Sequence, residues 1–399
     1  MIEFEGALSA VLKSVCALAA ERTLIKESVG KVLAEDIYSK VEMPPFDKSA
    51  MDGYAVNSLD VKKAPVKLKC IGILQAGRNF KKKINRGECV KIMTGAPIPK
   101  GADSVVMVEN TRFSGEYVEI LPAPKKWENI CFKGEDIKLG QKIADKGACV
   151  CVSDIALLAA AGNRYVKTVK FPRVSSLNTG SEIISLGKKL GKNKIYNSNG
   201  PQIYSLLKAD GIAPCCLGVV RDNFQELVKA VKKGFKHDIL LISGGVSAGD
   251  YDLVPKALEK AGVKKIFHKV KIKPGKPLYF GKYKKTVIFG VPGNPVSNFS
   301  TYILFIRPAI YKMMGRGGYK LDFKEGIIKE SFKHKIGRTH FIPVKILIKQ
   351  GKYQISPLNS RGSADIFTLS KADAFMMAEA ETSVVKKNSK VKFITWRSS

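Results

Sequence analysis

In the first 40 residues, apolar positions recur at three- and four-residue spacing: Ala7-Leu8, Val11-Leu12, Val15 and Leu18-Ala19. This pattern predicts an amphipathic helix ending near Glu21-Arg22. From Pro44 to Lys146 the texture changes to short β-prone runs at 66–74, 89–93, 104–108 and 117–121, separated by Gly, Pro and Asn turns. Such runs predict a small all-β module. Helical spacing returns over residues 149–162, so the β-module reads as an insertion into N-terminal helical material.

Beyond Val169 the pattern becomes regular. Extended segments at 173–177, 213–220, 238–243, 266–272 and 286–289 alternate with helical ones at 202–209, 224–235, 254–261 and 296–311. Strands that are apolar on both faces and alternate with helices predict a doubly wound, mostly parallel sheet. Ligands then belong at the carboxyl ends of its strands. After Gly315-Arg316-Gly317-Gly318 the chain reads as a last β-module, with strands near 326–328, 340–348, 353–355, 374–377 and 391–394.

Length and charge narrow this picture. The chain has 399 residues, which predicts two to four domains, and its 68 Lys+Arg against 35 Asp+Glu give a formal net charge of +33. No apolar stretch reaches the roughly 20 residues that span a bilayer; the best, 149–161, is short and carries Asp154. The acidic start, Met1-Ile2-Glu3-Phe4-Glu5, is unlike a secretory signal, so a cytoplasmic protein is expected. The eight cysteines contain no C-x-x-C pair and the four histidines lie far from most of them, which argues against structural zinc and a disulfide scaffold. The lysines are scattered, and the densest runs, Lys81-Lys82-Lys83 and Lys62-Lys63, lack interleaved aromatics for base stacking. The expectation is therefore no nucleic acid and no membrane, with a small anionic substrate instead.

Three segments converge on the expected sheet edge. The first, Ser243-Gly244-Gly245-Val246-Ser247-Ala248-Gly249-Asp250-Tyr251-Asp252, joins a buried strand to a helix. It suits either an anion site near a helix N-terminus or a plain Gly-rich turn capped by Asp252. The second, Pro292-Gly293-Asn294-Pro295-Val296-Ser297, is a loop stiffened by two prolines, serving as a binding loop or only as a connection. The third runs from Lys269 through Lys271, Lys273 and Lys276; as a strand it would put the first three lysines on one cationic face, either a solvated strand edge or a face fit for phosphate or oxyanion. Acidic loops, Asn178-Thr179-Gly180-Ser181-Glu182 and Arg221-Asp222, complete the edge as metal or heterocycle ligands or as helix caps.

Taken in order, the motifs Pro-Pro-Phe-Asp-x-Ser-Ala-Met-Asp-Gly-Tyr-Ala-Val (44–56), Met-Thr-Gly-Ala-Pro (93–97), Gly-Glu-Asp-Ile (134–137), Ser-Gly-Gly-Val-Ser-x-Gly-Asp-Tyr-Asp (243–252), Lys-Pro-Gly-Lys-Pro (273–277) and Pro-Gly-Asn-Pro-Val-Ser (292–297) resemble the molybdopterin molybdenumtransferase family, MoeA in bacteria and the gephyrin E domain in animals. The resemblance spans nearly the whole chain and is weakest over the last ~80 residues. It implies a multi-domain α/β protein. A three-layer, MogA-like molybdopterin-binding domain (168–314) would stand beside an elongated, discontinuous N-terminal dimerisation domain (1–45 with 137–167), an inserted β-module (46–136) and a C-terminal β-domain (319–397). It further implies a homodimer that inserts molybdate into adenylylated molybdopterin with Mg²⁺, releasing AMP. Transient contacts with the adenylyltransferase and with molybdoenzyme maturation proteins would follow.

By the same resemblance, Asp52 and Thr94 would act across the dimer. Glu182, Asp222, Asp252 and Asp136 would serve the pterin or magnesium, the last three as metal ligands. Thr179, Gly180, Ser243, Gly244, Gly245 and Ser247 would hold the pterin and phosphate portions. Lys269, Lys273, Lys276 and the Pro292-Gly293-Asn294-Pro295-Ser297 loop would receive phosphate or molybdate, with Arg338 and Ser363 contacting molybdate. The chain departs from the family pattern at Asn197-Ser198-Asn199, where an Asp often opens the triplet, and has no acidic residue directly before Glu182. Alternatives are a tungstate-specific insertase, a nucleotide-hydrolysing protein on the same fold, and a molybdopterin-binding scaffold without insertase activity.

Overall fold

All five residues of Ile239–Ser243 are buried, and the first four are apolar. Alternate side chains leave a strand on opposite faces. Here Ile239 and Leu241 enter one core while Leu240 and Ile242 enter another. Two cores on two faces require helices on both sides of the sheet, and this computed structural model, which describes residues 1–247, 252–317 and 321–396, has them. In chain order the elements are β1 (Val174–Thr179), α1 (Asn199–Ala209), β2 (Pro214–Val220), α2 (Phe224–Gly234), β3 (Ile239–Ser243), α3 (Leu253–Lys260), β4 (Lys264–His268), β5 (Tyr279–Tyr283), β6 (Thr286–Val291) and α4 (Pro295–Thr301).

The strand order is β2-β1-β3-β6-β5-β4. The first four strands are parallel, and β6-β5-β4 continue antiparallel. From β1 the chain crosses to β2 on one side, then returns to β3 on the other. The crevice between the ends of β1 and β3 is therefore the topological switch point, where open α/β sheets bind ligands.

Two of the expected elements need correction. Residues 266–272 are not one strand: β4 stops at His268, Lys269 takes a left-handed conformation (φ 74°), and Ile272–Lys273 pairs instead with Thr339 and His340. The turn is held by the Val270 N–H, which donates to the Lys276 carbonyl, and by pairing of Ile2 with Val270. Lys269, Lys271 and Lys273 thus share no strand face, and Lys271 is paired with Glu3. The predicted helix 296–311 is also interrupted by a wide turn, Tyr302–Ile306, before the final helical stretch Arg307–Met313. Pro308 lacks the N–H that would close an ordinary turn there.

The C-terminal strands β7 (Lys324–Ile328), β8 (Thr339–Lys349), β9 (Lys352–Pro357), β10 (Ala374–Ala378) and β11 (Lys390–Thr395) close into a ring, because β8 pairs with both β9 and β10. A helix that the apolar pattern missed, α5 (Ile366–Lys371), precedes β10. The ring shares the larger core through Phe341, Phe375 and Met377. Residues 1–45 do not stay together as expected: Met1–Glu21 and Gly30–Ala34 belong to the unit containing Thr168–Ser399. The reason is packing. The first helix, Phe4–Lys13, buries Phe4, Ala7 and Val11, and the Phe4 ring meets Phe305 and Phe341 edge-on at 5.6 and 5.1 Å.

The second unit, Arg22–Val29 with Glu35–Lys167, holds the predicted β-module. Its six-stranded sheet has the order Ser104–Met107, Gly53–Val56, Glu88–Ile92, Val66–Leu74, Tyr117–Ile120, Thr111–Ser114. The predicted helix over 149–162 is Val152–Ala160. No helix among the described residues is long and apolar enough to cross a membrane.

Candidate functional site

Two adjoining hollows open at the switch point, and both lie within the larger unit. The smaller, about 350 Å³, is lined by Thr179, Gly180 and Glu182 after β1, Asp222 after β2, and Ser243 and Gly244 at the end of β3. The larger, about 1080 Å³, is lined by Ser247, Lys273, Lys276, Pro292, Ser297, Arg338 and Ser363, together with Lys333, His334, Lys335 and His340. Gly245, Asp252, Gly293 and Asn294 line both. One hollow thus carries carboxylates and the other cations, and Asp252 stands where they meet.

The acidic hollow is braced from behind. The Ser181 N–H donates to Asp222 Oδ2 at 2.9 Å, and the Asp222 N–H returns a bond to Ser181 Oγ at 3.1 Å, which ties the β1 loop to the β2 loop. Ser243 Oγ accepts from Asn199 Nδ2 and Asn298 Nδ2, both at 2.9 Å. With two donors already received, its own hydrogen is left to donate elsewhere. Asn199 also donates to the Gly293 carbonyl at 2.7 Å, so one carboxamide fixes the two loops against each other.

Gly244 is required here. Its φ is +98°, and a Cβ built on it would sit 2.4 Å from the Thr179 carbonyl oxygen. Backbone on both sides leaves that contact no room to relax. Gly244→Ala is therefore expected to cost about 2–4 kcal/mol of stability and to splay the β1 and β3 loops. Gly293→Ala, whose Cβ would meet nothing nearer than 3.7 Å, should cost less than about 1 kcal/mol. Urea titration of both variants checks the contrast, and equal midpoints would refute it.

In the basic hollow the 360–363 loop is moored to the proline-flanked loop: Asn294 Nδ2 donates to Ser363 Oγ at 2.8 Å and the Val296 N–H to the Ser363 carbonyl at 3.1 Å. Asp365 caps α5 and accepts from the N–H groups of Arg361 and Thr368 and from Thr368 Oγ1. These bonds, the Arg361 N–H foremost, hold its carboxyl down to about 2. Burial is the main cause that lowers His340, to about 3, and also His334; the nearby Lys273 adds to both.

Most of the expected residues come together in these hollows, and five do not. Lys269 lines neither, and Pro295 faces a separate apolar groove. Asp52, Thr94 and Asp136 belong to the second unit. There Asp52 Oδ1 accepts from the Thr94 N–H at 2.6 Å and Thr94 Oγ1 at 2.8 Å, and the backbone bond is the main cause holding its carboxyl low. Residues 248–251 of the Gly-rich motif lie outside the described residues. No sequence motif singles out Asn298, one residue past the proline-flanked loop, or His334 and His340, which bracket Arg338.

Among the described residues no three His, Cys, Asp or Glu cluster closely enough to cage a metal. Glu182, Asp222 and Asp252 in one hollow are hard oxygen donors, which fit Mg²⁺ of the kind bound by one or two carboxylates and substrate phosphates.

Comparison with known proteins gives three family matches along the chain: MoeA N-terminal region (domain I and II) over residues 2–162, probable molybdopterin binding domain over 182–312, and MoeA C-terminal region (domain IV) over 325–396. The chain is 33% identical to the molybdopterin molybdenumtransferase of Staphylococcus epidermidis RP62A over 363 residues, covering 90% of this chain and 87% of that protein. It is 32% identical to that of Staphylococcus aureus COL over 381 residues, covering 94% and 91%. The crystal structure of the molybdopterin biosynthesis MoeA protein from Pyrococcus horikoshii OT3 matches with a TM-score of 0.79 at 29% identity, over 99% of this chain and 100% of that one.

Proposed function

The chain belongs to the MoeA family of molybdopterin molybdenumtransferases, and from that premise we propose that the paired hollows take adenylylated molybdopterin and molybdate, insert the metal and release AMP. The observation that carries this reading is the juxtaposition of an acidic hollow and a cationic one with Asp252 lining both. A polyanionic substrate and a dianionic one meet only where fixed cations and N–H donors offset their repulsion. Lys273, Lys276 and Arg338, with the hydroxyls of Ser297 and Ser363, would seat the oxyanion. The β1 loop with Glu182, Asp222 and Ser243 would hold the molybdopterin side. Asp222 and Asp252 would hold Mg²⁺, which when bound supplies charge neutralisation at the phosphates. Asp252, on the border, orients the two substrates toward each other.

A homodimer in the cytoplasm completes the proposal, with Asp52, Thr94 and Asp136 of one subunit serving the hollows of the other. The adenylyltransferase would supply the substrate, and maturation proteins would take the product. A composite site predicts complementation: inactive Asp52→Ala and Asp252→Ala chains, unfolded together and refolded as mixed dimers, should recover about a quarter of wild-type activity, because half the dimers are mixed and one of their two sites is intact. No recovery in verified mixed dimers would place both residues in one subunit's site.

The reaction itself is tested by AMP release from adenylylated molybdopterin with Mg²⁺, scanning molybdate and tungstate separately. Release that requires molybdate supports the insertase; dependence on tungstate alone names the other oxyanion. Release without either would indicate nucleotide hydrolysis, and no release from folded protein would favour a scaffold. The net charge of +33 exceeds what two anionic ligands need, and nothing in the structure explains the excess.

A further inference from the structure

One wall of the basic hollow carries two imidazoles that the proposed reaction does not use. The His334 and His340 rings lie 5.7 Å apart, with Phe332 5.9 Å from His340. The Nδ1 atoms of both are buried without a hydrogen-bond partner. His334 Nε2 is 3.3 Å from Thr382 Oγ1. His340 in particular has no hydrogen bond among the described residues to fix its tautomer, unlike a structural histidine anchored at both nitrogens. His340 also stands beside Lys273, its register partner on the adjoining strand.

We propose that His334 and His340 make the oxyanion seat proton-linked: a tetrahedral dianion bound beside Lys273 and Arg338 draws a proton from solvent onto the imidazole pair. This rests on reading the basic hollow as the oxyanion site. The charged groups around the pair are Lys273 on the short strand, Arg338 and His340 at the start of β8, and Lys333 and Lys335 flanking His334. The turn packed behind, whose Ser383 and Ala380 carbonyls accept from the His334 and Gly337 N–H groups, carries the exposed Glu379 and Glu381. In the free protein burial foremost, with Lys273 beside it, lowers both rings, against a contact with the Lys335 backbone that raises His334, and His334 and Arg338 add to the lowering of His340. A dianion cancels the field of those cations, so each ring binds a proton more readily in the complex than without it. The complex then holds more protons than the free protein, and affinity rises as pH falls.

The effect should appear from about pH 7.5 downward, as rings raised by the anion into the ordinary imidazole range, near 6.5, begin to charge. The linkage also selects dianions over monoanions, because a single charge offsets only one of the cations that keep the rings neutral.

The test is calorimetric titration of sodium molybdate into the full-length protein at about pH 6.5 in two buffers of different ionisation enthalpy, repeated with sulfate, which stays a dianion throughout. The expected result is buffer-dependent heat equivalent to about half to one proton taken up per oxyanion, with affinity gaining about three- to tenfold from pH 7.5 to 6.5. Uptake with sulfate excludes protonation of molybdate itself as the source. The double variant His334→Gln/His340→Gln should lose the uptake and bind with a flat pH profile; should it misfold, His334→Gln alone is expected to reduce the uptake. Binding without buffer-dependent heat, or full uptake in the folded double variant, overturns the proposal and leaves the oxyanion site standing. Failure of wild type to bind either anion overturns both.

Discussion

Asp252→Ala is expected to fold like the parent chain and to release AMP about 10²–10³-fold more slowly. Asp252 is the only carboxylate among the described residues that lines both hollows, so its loss acts on both substrates together. Its structural role is small by comparison. It stands at the N-cap position of α3 without a side-chain cap bond, and even truncating a bonded cap costs only about 1 kcal/mol. A shift of that size moves a thermal midpoint by only a few degrees in a chain this long. The expected signature is therefore a nearly unchanged melting curve with activity almost abolished. Asp252→Asn separates charge from shape: if the carboxylate holds a cation or repels the developing leaving group, the amide should be almost as impaired as alanine. Wild-type activity of Asp252→Ala in a strain lacking the native enzyme would remove the border residue from the chemistry.

The parts of the fold legible in the sequence were those set by local periodicity. β3 is apolar at four successive positions because both its faces are covered, and that signal needs no knowledge of partners. The ligand-binding edge followed from it, since Gly-rich and acidic loops after such strands must lie at one edge of the sheet; the switch point itself needed the strand order. What stayed hidden depends on distant segments. The strand expected over 266–272 breaks because Ile2 pairs with Val270, a contact across nearly the whole sequence. Sequence position groups the first helix with the N-terminal half, although its Phe4 packs on Phe305 and Phe341. No window of sequence contains either partner.

The candidate site shows the same division. Its glycines, lysines and carboxylates stand in motifs, because backbone approach and fixed charge require particular residues in tight turns. The supporting shell does not. Asn199 and Asn298 meet at Ser243 from two different helices, and only the folded sheet makes them neighbours. His334 and His340 looked like isolated histidines, six residues apart, until the ring of strands set them against Lys273. Arg338 and Ser363, expected from resemblance alone, line the same hollow as Lys273: Arg338 directly precedes β8, which pairs with the Lys273 strand, and Ser363 lies on a loop far along the sequence.

Lys273→Ala should raise the molybdate concentration for half-maximal AMP release about 10- to 100-fold while turnover at saturating molybdate changes less than about threefold. Lys273 is exposed at the hollow's wall, and its neighbour Lys276 is exposed on the same wall. A charge-assisted bond from an ammonium is worth about 1.5–3 kcal/mol, which sets the range of the shift. The remaining cations, Lys276 and Arg338, still attract the dianion, so binding weakens without being lost. Two further readouts distinguish an oxyanion ligand from a structural lysine. The salt dependence of half-saturation should become shallower, because one fewer fixed charge is screened. Removing the cation that helps keep His334 and His340 neutral should also move the pH at which binding strengthens upward, since both imidazoles then protonate more easily. Lys273→Arg keeps the charge and should recover most of the affinity, with the wider guanidinium setting the remainder. A loss of turnover at saturating molybdate, with half-saturation unmoved, would instead put Lys273 on the reacting atoms.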